Sequence, residues 1–240
     1  MFGRKKVAAL LAEFLGTATL TLLILSVQRS QLGLQYFVAL GAGIALTLLT
    51  FAFVEYSGGF FNPAITLGLW TARKLSSVAA VAYIIAQMVG ALAARGLYSY
   101  FANTHLSAVG GTFKVRILIA EAVGTFVFSF IYSATIYKKY NSQTRAAFAG
   151  FAYTLGILLA SSAAIGLLNP AVALGINAWV WGTYVLGPVV GAIIGINLYT
   201  LVFAEPAEAK VNFSKSSTFS LVKPTKKTTA TKKKTTTKKK

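Results

Sequence analysis

The tripeptide Asn62-Pro63-Ala64 occurs again as Asn169-Pro170-Ala171, and each copy lies in a short apolar stretch between long hydrophobic runs. One such tripeptide is a common accident. Two copies, 107 residues apart in this setting, indicate that the chain consists of two related halves, each of which carries the same polar motif. Internal symmetry of this kind is typical of membrane transport proteins built from two repeats.

Two further landmarks keep the same order and nearly the same spacing. Residues 12–17 (Ala-Glu-Phe-Leu-Gly-Thr) are matched by residues 120–125 (Ala-Glu-Ala-Val-Gly-Thr), and residues 86–91 are matched by residues 187–192. The last pair carries small residues four apart, which we interpret as helix-packing positions because small residues let helix backbones approach closely in lipid.

The hydrophobic content predicts an all-α membrane protein. The chain is 56% hydrophobic, whereas soluble domains have about 45–50% apolar residues. A membrane-spanning helix needs about 20 mostly apolar residues, and six segments qualify: about 7–27, 36–54, 77–101, 115–137, 145–166 and 182–204. The two segments that hold the tripeptides, 57–74 and 167–180, are too short to span, and we interpret them as re-entrant half-helices.

The tripeptide itself favours a helix start. Asn caps the first turn of a helix, and Pro is favoured at the first helical position because its missing N–H would be unpaired there. Each half then holds three spans and one half-helix, so the second half must be inverted and the two half-helices enter from opposite faces. The alternative, two capped surface helices joined to loops, leaves the repeat symmetry and the apolar flanks unexplained.

The distribution of basic residues predicts the orientation. One set of helix ends, with the tail, holds 19 Lys and Arg, and the opposite set holds 4. Because cytoplasmic loops are enriched in Lys and Arg, both termini are expected in the cytoplasm. The basic N-terminus precedes a run too long for a signal peptide, so we interpret it as a retained first span.

Glu13 and Glu121 lie at equivalent positions within predicted spans, where carboxylates are costly. They are candidates for proton-coupled transport or for structural groups that accept hydrogen bonds from the re-entrant segments. Their symmetric placement favours the structural, loop-supporting role. Glu55 has no counterpart in the repeat and is expected at the membrane interface.

Enzyme activity is not expected. Cysteine is absent and His105 is the single histidine, so no metal site rich in these ligands is possible. No nucleophile stands with a His–acid pair, and no phosphate-binding glycine loop occurs. We expect no cofactor and no metal.

Two Asn-Pro-Ala half-helices in an inverted six-span repeat, with a Glu near the Gly-Thr of the first and fourth spans, resemble the aquaporin (major intrinsic protein) family over residues 7–204. The resemblance implies six transmembrane helices and two re-entrant half-helices in an inverted 3+3 repeat. It also implies a homotetramer of hourglass pores that pass water, glycerol or other small uncharged molecules. The two Asn side chains would donate hydrogen bonds to the permeating molecule.

The chain departs from the family at the outer constriction. The family usually has an Arg directly after the second tripeptide, where this chain has Val172. The other constriction positions, aligned by spacing, are Ala42, Ile157 and Gly166, and Phe60 stands where many members have a His. We therefore predict a wide, apolar constriction without a fixed charge, which passes larger neutral solutes or gases, or which dewets and closes. Arg116 or Arg95 are candidates to replace the lost charge.

The chain divides into a transmembrane domain, residues 1–209, with halves at about 7–104 and 114–204, and a tail, residues 210–240, that holds 11 Lys and no acid. The tail is expected to be disordered and cytoplasmic. Each Lys near anionic lipid contributes on the order of 1 kcal/mol. Contact with the anionic bilayer, or a solvated tail that enforces orientation, is favoured over binding of nucleic acid.

The leading functional prediction is a passive channel for water and small neutral solutes in the plasma membrane of a bacterium. One alternative is a non-conducting or gated structural membrane protein of the same fold. A second is a proton-coupled secondary transporter, for which Glu13 and Glu121 are the support.

Replacing Val172 with Arg is expected to lower the permeation of any larger solute, because it restores a long charged side chain at the predicted constriction. The rate of re-swelling of proteoliposomes in glycerol or larger polyols measures the effect. An unchanged solute profile would contradict the assignment of the constriction.

Overall fold

The structure is a computed structural model that describes residues 3–30, 34–138 and 140–205. Within these residues the regular structure is helical: α1 (Arg4–Arg29), α2 (Gln35–Phe53), α3 (Pro63–Thr71), α4 (Ser77–Ala102), α5 (Val115–Tyr137), α6 (Ser142–Ala160), α7 (Pro170–Gly175) and α8 (Leu186–Phe203). A π-helical turn, Trp181–Val185, runs directly into α8. The tail, residues 210–240, lies outside the described residues.

The order of helices repeats. Helices α1 to α4 are long, long, short and long, and α5 to α8 follow the same order. The short helices α3 and α7 carry the two tripeptides, as the sequence predicts. The fold is therefore an all-α arrangement of six long helices and two half-helices in two repeats.

One predicted span differs from the structure. The segment 145–166 is not one helix, because α6 ends at Ala160 and residues 161–169 lead through turns and irregular backbone into α7. Five of the described helical segments are long and apolar enough to cross a membrane, and α6 is not among them. Its first turn, Ser142 to Arg145, is polar, which leaves too short an apolar stretch.

The outer surface of the bundle is apolar, unlike that of a soluble protein. Large apolar side chains are exposed on the outside; Phe151, for example, is 75% exposed and Leu201 is 83% exposed. Glu13, Gln87 and Glu121 are fully buried. Apolar outer faces are compatible with lipid, and the carboxylates within α1 and α5 lie in the bundle interior, as charged groups within spans usually do.

Equivalent glycines make equivalent helix crossings in the two halves. A β-carbon at Gly90 of α4 would overlap the carbonyl oxygen of Phe14 in α1. A β-carbon at Gly191 of α8 would overlap that of Ala122 in α5. The small-residue motifs of the sequence thus lie where two helix backbones touch.

The crossing of α2 and α6 relates the two halves to each other. Gly43 faces Thr154 and the Gly150 carbonyl, while Gly150 faces Thr47 and the Gly43 carbonyl. Each contact is the repeat-related image of the other, so the pseudo-two-fold axis passes through this crossing.

Each half-helix packs against the last long helix of the other repeat. A β-carbon at Gly68 of α3 would lie 2.9 Å from the carbonyl oxygen of Ala192 in α8. A β-carbon at Gly175 of α7 would lie 2.9 Å from the carbonyl oxygen of Ala91 in α4. The two halves are interlocked, so neither half-helix is held by its own repeat alone.

Substitution of Gly191 with Val is expected to destabilise the protein, because the added side chain collides with backbone in α5 and overpacking typically costs about 1–3 kcal/mol. Gly96 of α4 is the matched control, since a β-carbon there meets nothing within 4 Å. Thermal unfolding in detergent, followed by loss of the monodisperse peak, measures both variants. Equal melting temperatures for the two would contradict the close crossing.

Candidate functional site

The two half-helices begin at buried asparagines. The Oδ1 atom of Asn62 accepts a hydrogen bond from the backbone N–H of Ala64 at 2.8 Å. The Oδ1 atom of Asn169 accepts from the N–H of Ala171 at 3.0 Å and of Val172 at 3.4 Å. A proline occupies the first helical position of each half-helix. Each tripeptide is thus a capped helix start of the kind the sequence predicts.

The two asparagines also tie the half-helices to each other. The Nδ2 atom of Asn62 donates to the carbonyl oxygen of Leu168 at 2.8 Å. The Nδ2 atom of Asn169 donates to the carbonyl oxygen of Phe61 at 2.9 Å. The two helix N-termini therefore meet head to head. An amide NH2 group has two hydrogens, and the second one on each asparagine has no acceptor among the hydrogen bonds of the described residues.

Glu13 and Glu121 bind the residues that precede the asparagines. The Glu13 carboxylate accepts from the N–H groups of Phe60 at 3.1 Å and Phe61 at 2.7 Å. The Glu121 carboxylate accepts from the N–H groups of Leu167 at 3.0 Å and Leu168 at 2.8 Å. In this arrangement both acids face backbone donors of the re-entrant segments.

The residue before each asparagine has a left-handed backbone. The φ angle is 48° at Phe61 and 53° at Leu168. Such a conformation costs of order 1–3 kcal/mol for a residue with a side chain and persists only where its surroundings enforce it. The two carboxylate hydrogen bonds and the capping asparagines provide that enforcement.

The glycine of each repeated Glu-x-x-Gly motif serves the same turn, a role the sequence analysis did not identify. A β-carbon at Gly16 would overlap the ring of Phe61, and one at Gly124 would lie 2.9 Å from Cδ2 of Leu168. Glutamate and glycine are three residues apart, so they lie on one helix face. The carboxylate binds the backbone of the turn, and the glycine leaves room for its side chain.

The two halves differ beside Glu13. The Nε2 atom of Gln87 donates to Oε2 of Glu13 at 2.8 Å and lies 3.0 Å from the hydroxyl of Thr66. The equivalent positions of the second half hold Pro188 and Ala173. The first re-entrant segment is therefore supported by a buried side-chain network that the second half does not reproduce.

The structure places the four predicted constriction residues on α2, on α6, in the turn before α7 and on α7. A β-carbon at Gly166, which has φ of +68°, would lie 2.8 Å from the carbonyl oxygen of Ile157. Val172 lies in the first turn of α7, and Ala42 is the neighbour of Gly43 at the α2–α6 crossing. Ile157 and Gly166 are in direct contact.

The predicted constriction residues with side chains are buried, and the predicted width of the constriction stays a prediction. Ala42 and Val172 have an exposed fraction of 0%, and Ile157 has 1%. Gly43 and Gly150 bring α2 and α6 into close contact beside Ala42, as small residues do between membrane helices.

The charge of the missing Arg is not replaced by a buried base. In the part of the chain that the structure describes, the buried charged residues are Glu13 and Glu121. Arg116 is exposed and Arg95 is half-buried. The four predicted constriction residues are themselves apolar and uncharged.

Three buried tyrosines bind backbone carbonyls of the re-entrant segments, and the sequence analysis missed all of them. Tyr83 donates to Ser57 at 3.1 Å, Tyr132 to Gly58 at 3.3 Å, and Tyr153 to Leu167 at 2.9 Å. The only available signal was the presence of tyrosine on the inward face of helices whose outer faces carry Leu, Ile and Phe.

No group of three or more metal-ligating side chains occurs in residues 3–30, 34–138 and 140–205.

Comparisons with known proteins agree with this geometry. Residues 3–199 match the family model described as Major intrinsic protein. The chain is 34% identical over 205 residues to Glycerol uptake facilitator protein-like 6 of Lactiplantibacillus plantarum, covering 77% of this chain and 93% of that protein. It is 30% identical over 230 residues to Aquaporin Z of Photorhabdus laumondii, covering 82% of this chain and 97% of that protein.

A solved structure has the same fold. The aquaglyceroporin from Plasmodium falciparum superposes with a TM-score of 0.64 at 19% sequence identity. The match covers 81% of this chain and 95% of that one. The likeness extends over both repeats.

Replacing Glu121 with Gln is expected to destabilise the protein. The two carboxylate oxygens accept from the buried N–H groups of Leu167 and Leu168, and the side-chain NH2 group of Gln would replace one of these acceptors with a donor. An unpaired buried donor costs about 1–3 kcal/mol. Glu55 is the matched control: its Oε1 atom accepts from Ser142 at 2.6 Å on the exposed surface, and its change to Gln should be tolerated. Melting temperatures in detergent provide the measurement, and equal values would argue against the supporting role.

Proposed function

Because this chain belongs to the major intrinsic protein family, we propose that it is a passive transmembrane channel for water or small uncharged solutes, with its pore passing between Asn62 and Asn169. The observation that carries the proposal is a pair of hydrogen bonds across the junction of the half-helices. Asn62 donates to the carbonyl oxygen of Leu168, and Asn169 donates to the carbonyl oxygen of Phe61. The names of the relatives, a glycerol facilitator and an aquaporin, agree with a neutral permeant.

The asparagines are the proposed polar contacts of the pore centre. Each amide has one N–H committed to a carbonyl of the other half, which fixes its orientation and leaves the second N–H for the oxygen of a permeating molecule. The N-termini of α3 and α7 add partial positive charge at the same point, roughly half an elementary charge for a full helix. A water or alcohol oxygen is attracted there, whereas cations and protons are disfavoured.

Ala42, Ile157, Gly166 and Val172 form the proposed constriction. A solute that passes these residues meets no fixed charge and few hydrogen-bond partners, so it must shed part of its hydration. Small molecules with few hydrogen bonds to lose are favoured. Glu13 and Glu121 are the proposed supports that keep the re-entrant segments in place during passage.

A closed or gated state of the same fold is the second candidate. The exposed fractions of 0–1% at Ala42, Ile157 and Val172 favour it, because an apolar constriction of this kind excludes water unless the helices separate. This candidate predicts no conduction until the constriction is altered.

We place the protein in the plasma membrane of a bacterium, with both termini in the cytoplasm and the body, residues 1–209, as a homotetramer of pores. The bacterial relatives and the excess of basic residues on one set of helix ends support this placement. The Lys-rich segment 210–240 would then face the anionic inner leaflet.

Proteoliposomes of the purified protein should shrink faster than empty liposomes when sucrose is added outside, as recorded by stopped-flow light scattering. Re-swelling in glycerol would identify a channel that also passes small polyols. Shrinkage without re-swelling would identify a water channel. Rates equal to those of empty liposomes would contradict the open channel and favour the closed state.

A further inference from the structure

We propose that Tyr153, together with Phe128, is an aromatic barrier that decides which molecules pass the pore, acting between the asparagine pair and the constriction. The proposal rests on the proposed channel function and names a selectivity device within it. The two residues are outside the set of site residues identified from the sequence.

Tyr153 lies next to both parts of the site. It is four residues before Ile157 on α6, so the two side chains share one helix face. Its hydroxyl donates to the carbonyl oxygen of Leu167 at 2.9 Å. The next carbonyl along the chain, that of Leu168, accepts from Asn62. The tyrosine hydroxyl and the pore asparagine thus bind consecutive carbonyls of the second re-entrant segment.

Phe128 completes the barrier from α5. Its ring centroid is 5.0 Å from that of Tyr153, with the planes tilted by 51°. It lies seven residues, about two helical turns, after Glu121, and therefore on the face that supports the re-entrant segment. Phe128 is 2% exposed and Tyr153 is 1% exposed, so the two rings leave almost no wetted surface between them.

The internal repeat shows that these aromatic rings are particular to one half. The repeat-related positions in the first half hold Leu20 for Phe128 and Leu46 for Tyr153. Both leucines are buried, with exposed fractions of 1% and 3%. The same inward positions therefore accept an aliphatic side chain, and the second half has a ring at each of them.

The hydroxyl changes the chemistry of the path as well as its width. Backbone carbonyls of irregular segments at membrane depth replace the hydration shell of a permeating molecule. The hydroxyl of Tyr153 donates to the Leu167 carbonyl oxygen, which is then less available to a permeating molecule. At this level the permeating molecule meets the aromatic ring of Tyr153 instead. Water and polyols lose a partner at this level, whereas solutes with fewer hydrogen bonds are less affected.

Three variants test the barrier in proteoliposomes. Tyr153→Phe removes only the oxygen, and we expect water permeability to rise roughly fivefold, the rate equivalent of one hydrogen bond of about 1 kcal/mol. Tyr153→Leu combined with Phe128→Leu copies the first half of the chain, and we expect the ratio of glycerol to water permeability to rise about tenfold. Leu155→Ala is the control, since Leu155 is 43% exposed on the lipid side of the same helix.

The outcomes separate the barrier from the channel function. If the wild type conducts and both barrier variants keep its water permeability and its glycerol-to-water ratio, the barrier is overturned and the channel stands. If neither the wild type nor the double leucine variant conducts, both proposals fail. If only the double leucine variant conducts, the barrier is supported as the element that closes the pore. Should the double variant not give a monodisperse protein, Tyr153→Phe decides alone, since it removes one atom.

Discussion

The fold depends on the hydrogen bonds that join the two half-helices at their N-termini. Asn62 and Leu168 are 106 residues apart in the chain, and Asn169 and Phe61 are 108 apart. Each bond satisfies a carbonyl of irregular backbone at membrane depth, where no lipid group can do so. Without this pairing neither half-helix could begin in the bundle interior, because each would leave unpaired polar groups in an apolar medium.

That pairing requires close approach of the surrounding helices. Glycines at the α1–α4, α5–α8 and α2–α6 crossings bring backbones into contact, and Gly16 and Gly124 leave room for the residues with left-handed backbone. At the α2–α6 crossing, the same close approach lies beside Ala42, one of the proposed constriction residues. Small side chains at a constriction therefore have opposite effects: they remove bulk from the pore, and they also let the helices close around it.

The duplication is symmetric at the turns that precede the half-helices and asymmetric in the buried side chains beside those turns. Both halves have the glutamate, the glycine and the capped asparagine. The first half adds Gln87 and Thr66 beside Glu13, while the second half adds the aromatic rings of Phe128 and Tyr153. Both halves support the re-entrant turns with the same groups, whereas the buried side chains next to those turns differ between the halves.

The sequence by itself determined the membrane class, the repeat, the two half-helices and the boundaries of most long helices. These features follow from local patterns: apolar runs of spanning length, and a tripeptide whose residues favour a capped helix start. Only the tertiary structure decided how closely the helices approach, the end of α6 at Ala160, and the hydrogen bond from Tyr153 to Leu167. The approach of two helices depends on which faces meet across the bundle, and the partner of a tyrosine depends on which backbone lies opposite, so neither is encoded in a local pattern.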